Sequence, residues 1–282
     1  MGVFSFRNDV QYKTKLHYGY MAAYIIQVFL FRFIQLLVFS AIYKQGFEIY
    51  VILIDTERTL LQLFLFGAMF IIQLSIFVVM FKKIYFKRYL RWLSRIRPKI
   101  SAFWGIYTIA IPVIIFFIYY YVYWGTYNEY LDKTLFLFVL FFFFGALTEE
   151  FVFRGYFYKV MIKKNKKNAV YLILFQAFLF TIMHINNPGN TYARIGIVFF
   201  AGILLGIIAL RGFIYVLIFH FLWNFLQAYM MGLSVSGYRF PGSLYTYSGA
   251  TAWENNYYTG LFVVICSLFA LFMFIRNRKQ FV

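Results

Sequence analysis

The sequence predicts an all-α polytopic membrane protein of about eight transmembrane helices. Three observations carry that class. The 282-residue chain is 63% hydrophobic and 13% charged, with a mean hydropathy of +0.74; soluble domains run nearer half apolar and a quarter charged. Its apolar runs repeatedly reach the roughly 20 residues that a span needs. The connections between those runs alternate between basic and non-basic, as membrane topology demands of Lys and Arg.

The spans fall at roughly 18–43, 60–81, 101–124, 134–158, 168–186, 194–210, 212–231 and 258–275. An arm with Arg7, Lys13 and Lys15 precedes the first. The connection 44–59 mixes Lys44 and Arg58 with Glu48, Asp55 and Glu57, whereas 82–100 carries eight basic residues and no acid. Connection 125–133 is mixed, 159–167 holds five lysines, and 187–193 has no basic residue. Arg211-Gly212 alone divides the sixth span from the seventh, 232–257 carries one Arg and one Glu, and the tail ends Arg276, Asn277, Arg278, Lys279. Eight spans with both termini cytoplasmic is the simplest topology that satisfies this alternation. The chain divides into three N-terminal spans and loops (1–133), a core (134–231), and an outer loop with the final span (232–282).

Several function classes drop out. The net charge of +18 sits in short connections, not in a basic stripe on a soluble domain, so nucleic acid is not the expected partner. One cysteine, Cys266, allows no intramolecular disulfide and no Cys-based zinc site. The polar N-terminal segment MGVFSFRNDVQYKTK shows no leader-like apolar core, and Phe6 breaks the myristoylation pattern. His17, in that arm, reads as solvated, and Arg32, inside the first span, as a structural or snorkelling arginine. The Tyr-, Ser- and Gly-rich 232–257 reads as a connector.

The remaining polar residues of catalytic type inside spans are few: Glu149, Glu150 and Arg154 in TEEFVFR, His184 in FTIMHINNPG, and His220 and Asn224 in FHFLWNF. Each is a functional hypothesis, because ionisable groups in hydrocarbon are costly. Glu150 and Arg154 are one helical turn apart and can compensate each other. Glu149 lies 100° round the helix and cannot share Arg154 equally, which leaves it available as a general base. His220 and Asn224 also share a face and can converge on a developing oxyanion. Taken singly, each has a plainer reading as an ion pair or as interhelical hydrogen bonding. Six such residues on three spans make the chemical reading the stronger one.

Glu-Glu-x-x-x-Arg at 149–154, Phe-x-x-x-His at 180–184 and His-x-x-x-Asn at 220–224 together resemble, in order, the three motifs of the CPBP intramembrane proteases. That family includes the type II CAAX prenyl endopeptidases and the bacterial Abi, or bacteriocin-immunity, proteases. The resemblance covers about 134–231. It implies an eight-helix fold with a catalytic cavity inside the membrane, and a membrane-associated peptide or protein as substrate. It also implies roles: Glu149 with His184 activating a water, His220 and Asn224 stabilising the oxyanion, Glu150 and Arg154 supporting the site. No cofactor is expected. A His₂Glu zinc site from Glu149, His184 and His220 is the rival, although the HExxH pattern of zincins is absent. A transporter and a non-catalytic membrane partner are the alternatives outside hydrolysis. Depth strains the arrangement: His184 lies roughly 24 Å along a helix starting near Asn168, whereas Glu149 sits nearer the cytoplasmic end of its span. An interfacial turn at 155–163 or tilted helices would reconcile them.

Overall fold

The computed structural model describes residues 22, 24–30, 33, 107, 110–118, 126–127, 134–164, 166–185, 187, 191–233, 235, 245–246 and 257–277. The expected span 60–81 lies outside these residues, as do His17 and Arg32. Spans 18–43 and 101–124 are described in part, with helix at 24–30 and 110–118.

The described chain is helical: α1 (Thr134–Arg154), α2 (Tyr156–Lys164), α3 (Ala169–His184), α4 (Tyr192–Arg211), α5 (Phe213–Phe225), a π-helical turn (Leu226–Met230), and α6 (Tyr257–Arg276). One two-residue antiparallel pair, β1 (Thr126–Tyr127) with β2 (Tyr245–Thr246), brings the connections 125–133 and 232–257 to the same place. Tyr192–Arg211 and Phe213–Met230 are long and apolar enough to cross a membrane. Phe136, Phe178, Leu268, Phe269 and Phe272 each leave half or more of their surface exposed. Large apolar side chains turned outward in such number suit a lipid surround rather than water.

The helix α4 is the hub. It packs against α3, α5 and α6, and every residue from Gly202 to Arg211 is buried. Small residues let it approach α3 closely. A Cβ at Gly202 would stand 3.0 Å from the Ala177 Cα. Such small-residue contacts replace the hydrophobic drive that is missing between helices in lipid.

The expected continuous span 134–158 is corrected. α1 stops at Arg154, and α2 restarts at Tyr156. A Cβ at Gly155 would collide with the Phe151 carbonyl oxygen, so only glycine fits this backbone. Ending a helix here leaves its last carbonyls without intrahelical partners. The first helical stretch supplies them: Tyr24 Oη donates to the Phe153 carbonyl at 2.9 Å, and Gln27 Nε2 donates to those of Phe151 and Val152 at 3.2 and 3.3 Å. The lysine-bearing 159–167, expected as a loop, is helical through Lys164 and packs on α3.

The helical continuation through Lys164 answers the depth problem. Glu149 lies fifteen residues before the end of α2 (164 − 149), and His184 lies sixteen residues after Asn168 (184 − 168). The outgoing and returning arms are matched in length, so the glutamate and the histidine meet.

Packing at Gly202 is therefore testable. Gly202→Val should lower the thermal unfolding midpoint of the detergent-solubilised protein, at a cost of about 1–3 kcal/mol from overpacking. Gly196→Ala, where a Cβ meets nothing within 4 Å, should leave it unchanged or slightly raised.

Candidate active site

The site is built where α1, α3 and α5 meet. Glu150 is fully buried, and its Oε1 accepts two hydrogen bonds, from Arg154 Nη1 at 2.7 Å and from His220 Nδ1 at 2.7 Å. Arg154, also fully buried, lays its guanidinium over the Phe180 ring, with Cζ 4.2 Å from the centroid. That contact explains the phenylalanine of Phe-x-x-x-His: it covers the cation of the neighbouring helix. The ring also packs against His184, with centroids 4.4 Å apart, and edge-on to Phe153.

His184 ends α3, and its Nδ1 donates to the Phe180 carbonyl at 2.7 Å. A carbonyl can only accept, so Nδ1 carries the proton, and in the neutral ring Nε2 presents a lone pair. That Nε2 lies 4.0 Å from Glu149 Oε2, and His220 Nε2 lies 3.8 Å from the same oxygen. Glu149 Oε2 is buried and has no hydrogen-bond partner. Both imidazoles are thus anchored through Nδ1 and turn Nε2 toward one carboxylate oxygen. Distances near 4 Å are those of groups bridged by a single water.

Asn224 follows His220 by one turn on α5. Both line a cavity of about 50 Å³, with His184, Phe180, Val198, Ala201, Leu204, Leu205, Phe219, Trp223, Val235 and Val263 as its other walls. Glu149 stands just outside this lining and reaches it through His220. Val263 comes from α6, which carries none of the motifs. All six residues expected from the sequence are therefore gathered in one region, with Glu149, Glu150, Arg154, His184 and His220 linked by direct distances and Asn224 by the shared cavity.

Gln176 was not expected. It is fully buried in the middle of α3. With its amide oriented by its hydrogen-bond partners, its oxygen accepts from Arg154 Nε at 3.1 Å and Nη2 at 3.0 Å, and its nitrogen donates to the Gly202 carbonyl at 3.3 Å. An amide in the middle of AVYLILFQAFLFTIMH was the available signal. Tyr24 and Gln27 were missed as well, because nothing in the sequence pairs the first span with the end of α1.

Among the described residues, no group of three His, Cys, Asp or Glu side chains is arranged to hold a metal ion. No step below is routed through one.

Geometry and fold define a helical protein with a partly buried Glu/His/His/Asn constellation beside an apolar cavity. Residues 131–226 match the family model described as Type II CAAX prenyl endopeptidase Rce1-like, which bears out the resemblance read from the three motifs. No curated protein and no solved structure matches the chain. The match ends two residues beyond Asn224 and spans all three motifs. It implies a protease, and with it a peptide or protein substrate; with the apolar helices it points to a membrane protein.

The buried ion pair sets a second expectation. Arg154→Met should destabilise by about 3–5 kcal/mol, because it strands the Glu150 charge. The double variant Glu150→Gln/Arg154→Met should recover part of that loss in thermal unfolding.

Proposed function

We propose that this protein is an intramembrane endopeptidase that hydrolyses a peptide bond in a membrane-associated peptide or protein, with Glu149 as general base. The substrate is of the CAAX type or a bacterial peptide of the kind processed by Abi and bacteriocin-immunity proteases. The observation that carries the reading is the buried, unpartnered Glu149 Oε2 flanked by two imidazole Nε2 atoms at 3.8 and 4.0 Å.

Mechanism follows from which atoms can donate and which can accept. Glu149 Oε2 and His184 Nε2 are both acceptors, so a water between them can direct one O–H to each. Its oxygen then attacks the scissile carbonyl carbon, and Glu149 takes the proton. The carbonyl oxygen becomes an oxyanion facing His220 and Asn224. His220 already donates its Nδ1–H to Glu150 Oε1, so donating from Nε2 as well requires the doubly protonated ring. The adjacent Glu150 carboxylate supports that cation. The Asn224 amide supplies the second donor. When the tetrahedral intermediate collapses, the C–N bond breaks, and the proton held by Glu149 passes to the leaving amine. The products are a carboxylic acid and an amine, which then exchange a proton to give a carboxylate and an ammonium, and the glutamate is returned to its starting state. The apolar walls of the cavity favour an apolar substrate segment beside the scissile bond.

The core is residues 134–231, within a multi-pass protein whose termini are both cytoplasmic. Alternation of basic and non-basic connections supports that orientation. The pairing of Thr126–Tyr127 with Tyr245–Thr246 agrees with it, since the charge pattern assigns both connections to the outer side.

The test is N-terminal proteomics of membranes from cells making the wild type or Glu149→Gln at matched levels. A set of cleavages should vanish in the variant. Identical profiles, with the variant still supporting the cell phenotype, would replace the peptidase with a scaffold or transporter. On a cleaved reporter, Glu149→Gln should lower turnover by about 10²–10⁴-fold and Asn224→Ala by about 10²–10³-fold. Chelators should leave cleavage unchanged; a loss restored by zinc would reinstate a metal mechanism.

A further inference from the structure

We propose that Gln176 is a positioning residue for His220, acting through Arg154 and Glu150; the proposal rests on the peptidase reading above. Four helices contribute to one chain of hydrogen bonds. The Gly202 carbonyl on α4 accepts from the Gln176 nitrogen on α3. The Gln176 oxygen accepts the Nε and Nη2 donors of Arg154 on α1. Arg154 Nη1 reaches Glu150 Oε1, and the same oxygen holds His220 Nδ1 on α5.

Arg154 has one edge, one face and one tip to be satisfied, and each has its own partner. Gln176 takes the Nε–Nη2 edge, Phe180 covers a face, and Glu150 takes Nη1. A guanidinium prefers to present a two-donor edge to a carboxylate. Gln176 occupies that edge, which leaves Glu150 only the single Nη1 bond. The carboxylate oxygen then keeps the position at which His220 Nδ1 also reaches it. Without the amide, the free edge would turn toward Glu150 and draw Oε1 away from His220. His220 would then lose the anchor that aims its Nε2.

The fold makes room for this amide. A Cβ at Gly206 would stand 2.6 Å from the Gln176 side chain and 3.0 Å from Tyr158 Oη. Tyr158 Oη in turn donates to the Gly206 carbonyl at 3.0 Å. Glycines at 202 and 206 thus give Gln176 an acceptor at one position and space at the other. An amide that only filled space in α3 would need neither.

The experiment uses the full-length protein in detergent and a quenched-fluorescence peptide spanning the most abundant Glu149-dependent cleavage. Gln176→Leu should lower kcat by about tenfold or more, with KM within about twofold, as expected for misplacement of a reacting group. Gln176→Glu, which keeps an oxygen for the Arg154 edge, should restore most of kcat. In a His220→Ala background, Gln176→Leu should add little further loss, because coupled residues are non-additive. Unchanged kcat in Gln176→Leu overturns the proposal, as does an equal loss with and without His220. If Gln176→Leu does not fold, Gln176→Met takes its place against Gln176→Glu, with the same outcomes. Glu149-dependent cleavage that is indifferent to Gln176 removes this inference alone. Absence of any Glu149-dependent cleavage removes the peptidase reading and this inference with it.

Discussion

Glu150 has no exposed surface, so its charge must be compensated entirely from within the protein. Isolated, such a carboxylate would cost far more than a domain's net stability. Two donors meet on one of its oxygens, a guanidinium from its own helix and an imidazole from α5. The other helices are arranged around that requirement. α5 must pass close enough to α1 to bring His220 to 2.7 Å. α3 must place Phe180 over the guanidinium face and Gln176 on its edge. α4 must carry glycine opposite Gln176. A buried ion pair of this kind is weak evidence for stability.

Backbone geometry meets a second demand at the same place. The helix that carries both glutamates ends five residues after Glu149, and an ended helix exposes carbonyls. In a water-poor surround these need partners from the protein itself. Tyr24 and Gln27 provide them, so the first helix is tied to the end of α1 although it holds none of the motifs. Beyond the break, α2 extends the outgoing arm to match the sixteen residues of α3.

The motif residues were legible in the sequence because each is a polar interruption of a greasy run, and hydrocarbon makes such interruptions expensive. Helical spacing was legible too: the 150/154 and 220/224 pairs share faces as the period requires. Gln176 gave the same kind of signal, but an uncharged amide in a span usually bonds between helices, so it did not stand out. Tyr24 and Gln27 gave none, since their partners are backbone carbonyls more than a hundred residues away. The end of α1 at Arg154 was hidden because PheValPheArg continues the apolar pattern, and only the steric conflict at Gly155 interrupts it. Span boundaries from 192 onward lie within two residues of those read from the sequence, apart from the π-helical close of α5. Loop charge gave a topology but not the contacts that hold it.

Two adjacent glutamates each keep a buried Oε2 without a hydrogen-bond partner, but they face different neighbours, and the helix angle between them is the reason. A turn of 100° sends Glu150 toward Arg154 and His220 Nδ1, where its Oε1 is occupied by donors. The same turn sends Glu149 toward two Nε2 atoms, where its Oε2 has no direct partner. His220 touches both environments, one ring nitrogen in each. The imidazole therefore couples the two carboxylates: whatever fixes its Nδ1 end also aims its Nε2 end. On the proposed reading, a supporting glutamate and a proton-accepting one can be neighbours in sequence because a single histidine separates their tasks in space.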